Sequence, residues 1–298
     1  MIDLTLIIAT YNRAKQLMIT LGSVATQHYP ADRWECVVVD NNSQDNTRER
    51  VEAFIAEHPE LNIRYCFEPN QGLSHARNRG ITEAKGDIVA IIDDDERIVE
   101  DFVAAYVELF NNHSDAMAAG GKIIAEYPTG RPRWMSKYTE RPIANPMDFG
   151  ESIKLFPKGR IPGGGNMAVR SKVFKEIGLF DTSLGRTGKQ LIGGEESDLF
   201  ERIAQHNMAC YYVPCAVMYH IIPEQKLTQE YFCRLSYNIG LSQYRRAEIN
   251  GRKWRLYLGE IAKWVATLLL CATHHPIKSR QLIVMRYHIS RGVFSSHK

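Results

Sequence analysis

The chain has 298 residues, of which 44% are hydrophobic and 24% charged, and a formal net charge of +3 at pH 7. A chain of this length buries an α/β core without covalent staples, so no disulfide scaffold is required. The six cysteines (Cys36, Cys66, Cys210, Cys215, Cys233 and Cys271) form no C-x-x-C pair, which excludes a zinc ribbon or dithiol redox motif and fits a reducing cytosol.

At the N-terminus, M-I-D-L-T-L-I-I-A-T-Y-N-R has an apolar stretch too short for a signal peptide, so it reads as a first strand of a cytoplasmic protein. Short β-rich runs then recur at Leu4–Ala9, Cys36–Val39, Ile63–Phe67 and Ile88–Ile92. Between them, segments 13–28, 45–57 and 73–84 carry apolar residues at helical spacing. This rhythm predicts βαβ units and a mainly parallel sheet flanked by helices. Asn42-Ser43 and Ser74 are the expected helix-start caps. After Glu96 the rhythm becomes irregular, and the Pro- and Gly-rich segment 126–165 is expected to form long loops packed over a site. Helix returns at Glu195–Gln205, and long helices are expected from Thr228 onward.

In an open parallel sheet, ligands bind beyond the carboxyl ends of the strands. Here the first strand ends in Thr10-Tyr11-Asn12-Arg13, the second in Asp40-Asn41-Asn42-Ser43-Gln44-Asp45, and the fourth in Asp93-Asp94-Asp95-Glu96. Tyr11 could stack on a base, Asp40 could accept hydrogen bonds from a base or ribose, and Arg13 could meet phosphate. Strand alternation puts Asp93 and Asp95 on one face and turns Asp94 away. Two carboxylates sharing one small space call for a hard divalent cation, Mg²⁺ or Mn²⁺, held against a diphosphate. A solvated turn is the plain alternative for such a run, and the apolar strand before it argues against that. Asn70-Gln71-Gly72 opens a helix that presents Arg77 and Asn78, an arrangement favouring an anion.

I-I-A-T-Y-N-R, V-V-V-D-N-N-S-Q-D, N-Q-G-L-S-H-A-R-N-R-G and I-I-D-D-D-E, in this order, resemble the glycosyltransferases of family 2, which have the GT-A fold. The resemblance is strong over residues 1–100. It continues through Gly163-Gly164-Gly165-Asn166 and Gly193-Gly194-Glu195-Glu196-Ser197-Asp198-Leu199, and extends weakly to His220 and to 234–240. It implies a GT-A (Rossmann-like) catalytic domain over 1–225, with a nucleotide-binding half at 1–97 and an acceptor-binding half at 98–225. A helical extension over 226–298 follows.

The resemblance further implies that Thr10, Tyr11, Arg13 and Asp40 hold the uracil and ribose of a uridine-diphosphate sugar. Asp93 lies near the ribose, Arg77 and Asp94 join the donor-binding set, and Asp95 holds the metal. Family members invert at the anomeric carbon, so a carboxylate base is needed on the acceptor side. They usually carry Glu-Asp where this chain has Glu195-Glu196. The base therefore transfers to Glu196, with Glu195, Asp198 and Gly164 toward the acceptor, and Glu195 and Asp198 stay open as alternative bases. His220 is either a further metal ligand or a core histidine.

The implied activity is sugar transfer to a hydroxyl of a glycan or lipid-linked saccharide, in polysaccharide or glycoconjugate synthesis. A catalytically silent nucleotide-sugar- or glycan-binding subunit is the alternative. The phosphatase pattern D-x-D-x-[TV] and a glycine fingerprint after the first strand are both missing, so neither a phosphatase nor a dehydrogenase is expected.

Charge separates the tail from the rest: 24 basic residues stand against 31 acidic over 1–225, and 13 against 3 over 226–298. Tyr257, Ile261, Trp264, Val265, Leu268, Leu269 and Ala272 fall at helical spacing beside Arg252, Lys253, Arg255 and Lys263. Glu260 and Lys263 interrupt this stretch, which is expected to be too short to span a bilayer. The amphipathic basic helix either packs on the catalytic domain or docks on an anionic membrane, at the cytoplasmic face of an inner membrane; nucleic acid is not an expected partner.

Overall fold

The computed structural model describes residues 1–187 and 193–295. The first four strands, β1 (Leu4–Thr10), β2 (Trp34–Asp40), β3 (Ile63–Phe67) and β4 (Ile88–Asp93), form the expected parallel set, ordered β3-β2-β1-β4. The sheet continues through β5 (Glu96–Ile98), β6 (Ala116–Glu126), β7 (Lys154–Leu155), β8 (Met167–Arg170) and β9 (Ala209–Ile221). The full order is β3-β2-β1-β4-β8-β6-β9-β5, with β7 beside β9. Strand β8 runs antiparallel to both β4 and β6, and β9 antiparallel to β5 and β7, so the sheet is mixed.

Side-chain alternation explains why the central strands are apolar on both faces. Leu4, Leu6 and Ile8 of β1 enter one core, and Ile7 and Ala9 the other; in β4, Ile88, Ala90 and Ile92 oppose Val89 and Ile91 in the same way. Helices α1 (Ala14–Val24), α2 (Thr47–Glu57) and α4 (Phe102–Asn112) cover the first face. Helices α3 (Leu73–Glu83), α6 (Ser171–Ile177) and α7 (Glu195–Gln205) cover the second.

The expected caps are replaced. Asp45 Oδ1 accepts from Thr47 N and Thr47 Oγ1 at the start of α2, and Ser74 lies inside the first turn of α3, which begins after Gly72. The segment expected to be loops is partly ordered: α5 (Lys137–Ala144) starts with a Ser136–Thr139 capping box.

By packing, residues 1–124, 147–183 and 195–221 form one unit, and 125–146, 184–194 and 222–298 a second. The second contains α5, α8 (Gln229–Ile249), α9 (Lys253–Thr273) and α10 (Pro276–Phe294) around Ile143, Phe232, Leu282, Met285 and Val293. Helices α8 and α10 touch backbone to backbone where Gly240 meets Gly292; a Cβ on either would overlap a carbonyl oxygen of the other helix.

Helix α9 differs from its expected form. Its outward stripe is Trp254, Leu258, Ile261, Val265, Leu268 and Leu269, while Glu260 and Thr267 face inward and are buried. The expected interruption by Glu260 is therefore absent from the exposed face. The helix is 21 residues long, and by length and composition it is long and apolar enough to cross a membrane.

Candidate active site

Strand β4 ends at Asp93, and a two-residue turn carries the chain into β5. That turn separates the three aspartates. Asp94 is buried and turned toward the first strand, accepting from Thr10 Oγ1 at 2.8 Å and from Arg13 at 2.9 Å. Burial pushes its pKa up to about 6, against the pull of the Arg13 charge and with added repulsion from Asp95. Asp93, Asp95 and Glu96 group instead with one another, with one ligand oxygen from each within 4.8 Å of the others. His220 on β9 pairs across from Glu96 on β5, and its Nε2 lies 3.9 Å from Asp95 Oδ1. Three clustered carboxylates beside an imidazole are a donor set suited to a hard or borderline divalent cation such as Mg²⁺ or Mn²⁺.

Around this cluster, Arg13 also reaches Asp95 Oδ2 at 3.1 Å. Thr10 is buried and Tyr11 half-buried at the end of β1. Asp40 is buried at the end of β2, where Oδ1 accepts from Ser43 N and Oδ2 from Tyr65 OH, both at 2.9 Å.

Arg77 was expected near an anionic ligand and is found among carboxylates of the chain itself. It is fully buried, and it donates to Glu195 Oε1 (3.2 Å), Glu196 Oε1 (3.3 Å), Asp93 Oδ1 (3.1 Å) and Gly164 O (3.2 Å). Its guanidinium also lies 5.6 Å from the Phe180 ring centre. Burial alone would lower the Arg77 pKa, but Glu196, Asp93 and Glu195 together hold it above the usual arginine range.

The segment 163–166 makes this arrangement possible. A Cβ on Gly164 would overlap the Glu196 carboxylate, and one on Gly165 would overlap that of Glu96; only glycine lets backbone approach both so closely. The next residue, Asn166, is buried and locked: its Oδ1 accepts from Tyr106 OH at 2.5 Å and its Nδ2 donates to Lys122 O and Ala216 O.

The three acidic side chains in the first turn of α7 have different surroundings. Glu195 is buried, Glu196 keeps a quarter of its side chain exposed, and Asp198 pairs with Arg202 at 2.9 Å. Arg202 also donates to the carbonyls of Ile177, Gly178 and Leu179. Asp198 thus belongs to the brace that ties α7 to the end of α6, apart from the Arg77 cluster.

Sequence reasoning did not single out Glu96, Asn41 or Asn166. Glu96 Oε2 accepts from Asp93 N at 2.8 Å. Asn41 Nδ2 donates to Asn70 O at 2.6 Å while its Oδ1 accepts from Gly72 N at 2.7 Å, fixing the turn into α3. Each lay inside a motif already picked out, next to the residues that drew attention.

Residues 5–178 match the family description Glycosyl transferase family 2, and the chain belongs to that family. The Haloferax volcanii glucosyl-dolichyl phosphate glucuronosyltransferase is 28% identical over 67% of this chain, and the match spans 62% of that relative's length. Two solved structures share the fold. The Pyrobaculum calidifontis mannosyltransferase PcManGT, in complex with GDP-Man and Mn²⁺, aligns with a TM-score of 0.66 and 20% identity over 98% of this chain and 87% of its own. S. aureus TarS 1-349 in complex with UDP-GlcNAc aligns with a TM-score of 0.57 and 17% identity over 97% and 91%. The mixed sheet with its flanking helices is therefore the GT-A fold.

Proposed function

We propose that this chain transfers a hexosyl group from a nucleoside-diphosphate sugar, preferably a uridine-diphosphate sugar, to a hydroxyl of a glycan or lipid-linked saccharide. The transfer is a single displacement with inversion. The acceptor oxygen forms its bond to the anomeric carbon as the bond to the diphosphate breaks, and the hydroxyl proton passes to a carboxylate of the chain. The nucleoside diphosphate leaves.

One observation carries this reading: Arg77 joins Asp93, in the metal-suited carboxylate cluster, to Glu196 of α7, through Nη2 and Nη1 respectively. An inverting displacement needs leaving-group stabilisation on one side of the anomeric carbon and a base on the other. Glu196 suits the base because it is partly open and shares Arg77 with Asp93, whereas Glu195 is buried and Asp198, equally open, is held by Arg202 apart from that cluster. Asp95, with Asp93, Glu96 and His220, would hold Mn²⁺ or Mg²⁺, which when bound offsets negative charge on the diphosphate. Thr10, Tyr11, Asp40 and Asp94 form the nucleoside side of the 1–97 half. Arg13, paired with Asp94 and Asp95, is placed to exchange those partners for phosphate. Gly164 and Glu195 border the acceptor side. The relatives favour this class: one is named for a dolichyl-phosphate-linked substrate, and the two structures hold nucleotide sugars. A lipid-linked acceptor at the cytoplasmic face of an anionic membrane also accords with the basic tail.

The test is turnover of a nucleotide-sugar panel with Mn²⁺, with NMR assignment of the product's anomeric configuration. Glu196→Gln should keep donor binding by thermal shift and lose about 10²–10⁴-fold in rate. Asp95→Ala should lose metal-dependent donor binding as well. Donor binding without any transfer or hydrolysis would point to the silent subunit instead, and a retained anomeric configuration would overturn the displacement.

A further inference from the structure

We propose that α9 lies in the plane of an anionic phospholipid leaflet, with the Trp254–Leu269 stripe sunk among the acyl chains and the flanking basic side chains at the headgroups. This deepens the proposed function, resting on it for the membrane-borne acceptor but not for the contact itself. Ordinary helices of a water-soluble fold turn apolar residues inward and polar ones outward. Helix α9 packs Leu256, Tyr257, Leu270 and Cys271 on the core and still carries a second apolar stripe outward. Trp254, Leu258, Ile261, Val265, Leu268 and Leu269 are each between 55% and 67% exposed. At 100° per residue they fall within one continuous stripe along the helix.

The inward face shows how this orientation is fixed. Glu260 is 1% exposed. It accepts from Lys263 at 2.8 Å, from Ser290 Oγ at 3.0 Å and from Arg286 at 3.4 Å, and Ser290 Oγ in turn accepts from Trp264 Nε1 at 2.9 Å. Turning α9 over to hide the stripe would break these bonds and leave Arg286 beside no carboxylate of α9.

Charge selects the occupant. Residues 251–298 contain nine Lys and Arg and a single acidic residue, the buried Glu260. Arg252 and Arg255 are exposed near the start of the stripe, whereas Lys253 pairs with Glu248 and Lys263 with the buried Glu260. Long basic side chains beside an apolar strip place their charge at the headgroup level. A second copy of the chain would bring the same positive charge against this face and be repelled. A spanning orientation would carry Glu260, Lys263 and Arg286 into hydrocarbon, where charge is costly.

The experiment is flotation of the full chain with phosphatidylcholine vesicles, with and without phosphatidylglycerol, followed by alkaline carbonate extraction. The expected result is binding to the anionic vesicles that weakens with salt and is released by carbonate. The pair Leu268→Asp and Leu269→Asp, made together, should reduce the bound fraction about tenfold or more, since each removes the burial of one leucine. Arg252→Glu with Arg255→Glu should reduce it by several-fold. Both variants should keep the donor-induced thermal shift, so loss of membrane contact and loss of the donor site are read separately. Absence of binding to anionic vesicles, undiminished flotation of the double aspartate variant, or resistance to carbonate would each overturn the proposal. So would a dimer in solution that the same aspartates dissociate.

Discussion

Two buried charge clusters, one in each packing unit, are built with opposite polarity. Around Arg77 the fully buried member is a cation, and the partners that reach toward solvent are carboxylates: Asp93 with 36% and Glu196 with 25% of the side chain exposed. Around Glu260 the buried member is an anion. Its partners are the cations Lys263, with 41% of the side chain exposed, and Arg286, with 12%. A buried ion gathers counterions of the opposite sign, so the first cluster is acidic where it opens and the second is basic. In the proposed function the same physical device would serve chemistry in one place, and in the other it fixes the orientation of α9.

Removing the buried cation is the most damaging way to break this contrast. Arg77→Met leaves Asp93, Glu195 and Glu196 close together without the guanidinium that joins them. Loss of one member of a buried ionic network costs about 3–5 kcal/mol, so the denaturant midpoint should fall steeply. Arg77→Lys restores a charge but cannot reach four acceptors from one planar fork. It should recover part of the stability while leaving the rate depressed. Chemical denaturation and donor turnover measured together check this, and a midpoint unchanged in Arg77→Met would mean that the network supports nothing.

The buried anion allows a more discriminating test. Glu260→Leu alone leaves Arg286 facing an apolar neighbour, with an expected cost of about 1–3 kcal/mol. Adding Arg286→Leu removes the stranded charge, and the double variant should be more stable than the single one. If the double variant instead lost the sum of two single losses, the pair would not act as a unit. The orientation of α9 would then need another cause.

These clusters mark the limit of what the sequence discloses. The parallel core was legible because short, near-continuous apolar runs alternate with helical spacing, and the polar residues at and just beyond Thr10, Asp40 and Asp93 marked a rim. Role assignments were harder. An arginine just after a glycine turn at a helix start looks like an anion binder, and what redirects Arg77 is a carboxylate 118 positions away, supplied by α7. Likewise Glu260 reads as a break in an apolar stripe until Arg286, 26 positions on, is seen beside it. Strand β6 was missed for a simpler reason: A-M-A-A-G-G carries little β propensity, and its pairing with β8 imposes the extended form.

A third ion pair sharpens the comparison by being neither buried at a site nor set under an outward face. Arg131 forks onto Glu140, with Nε to Oε1 at 3.0 Å and Nη2 to Oε2 at 2.8 Å, and Tyr127 OH adds a bond at 2.8 Å. The Arg131 bonds, opposed by partial burial and aided by Tyr127, hold the Glu140 carboxyl below the usual glutamate range. A carboxyl with a depressed folded pKa binds fewer protons folded than unfolded over the interval between its two pKa values. Its contribution is therefore present above the unfolded pKa, near 4.3, and is lost as pH falls through the folded value. Glu140→Gln should cost about 1 kcal/mol near pH 7. The variant and the parent should converge in thermal stability as pH drops below 4, while membrane flotation and donor binding at neutral pH stay unchanged. A stability difference that persisted undiminished at acid pH would mean that the fork is held by shape rather than charge, and would move this pair into the same class as the two buried clusters.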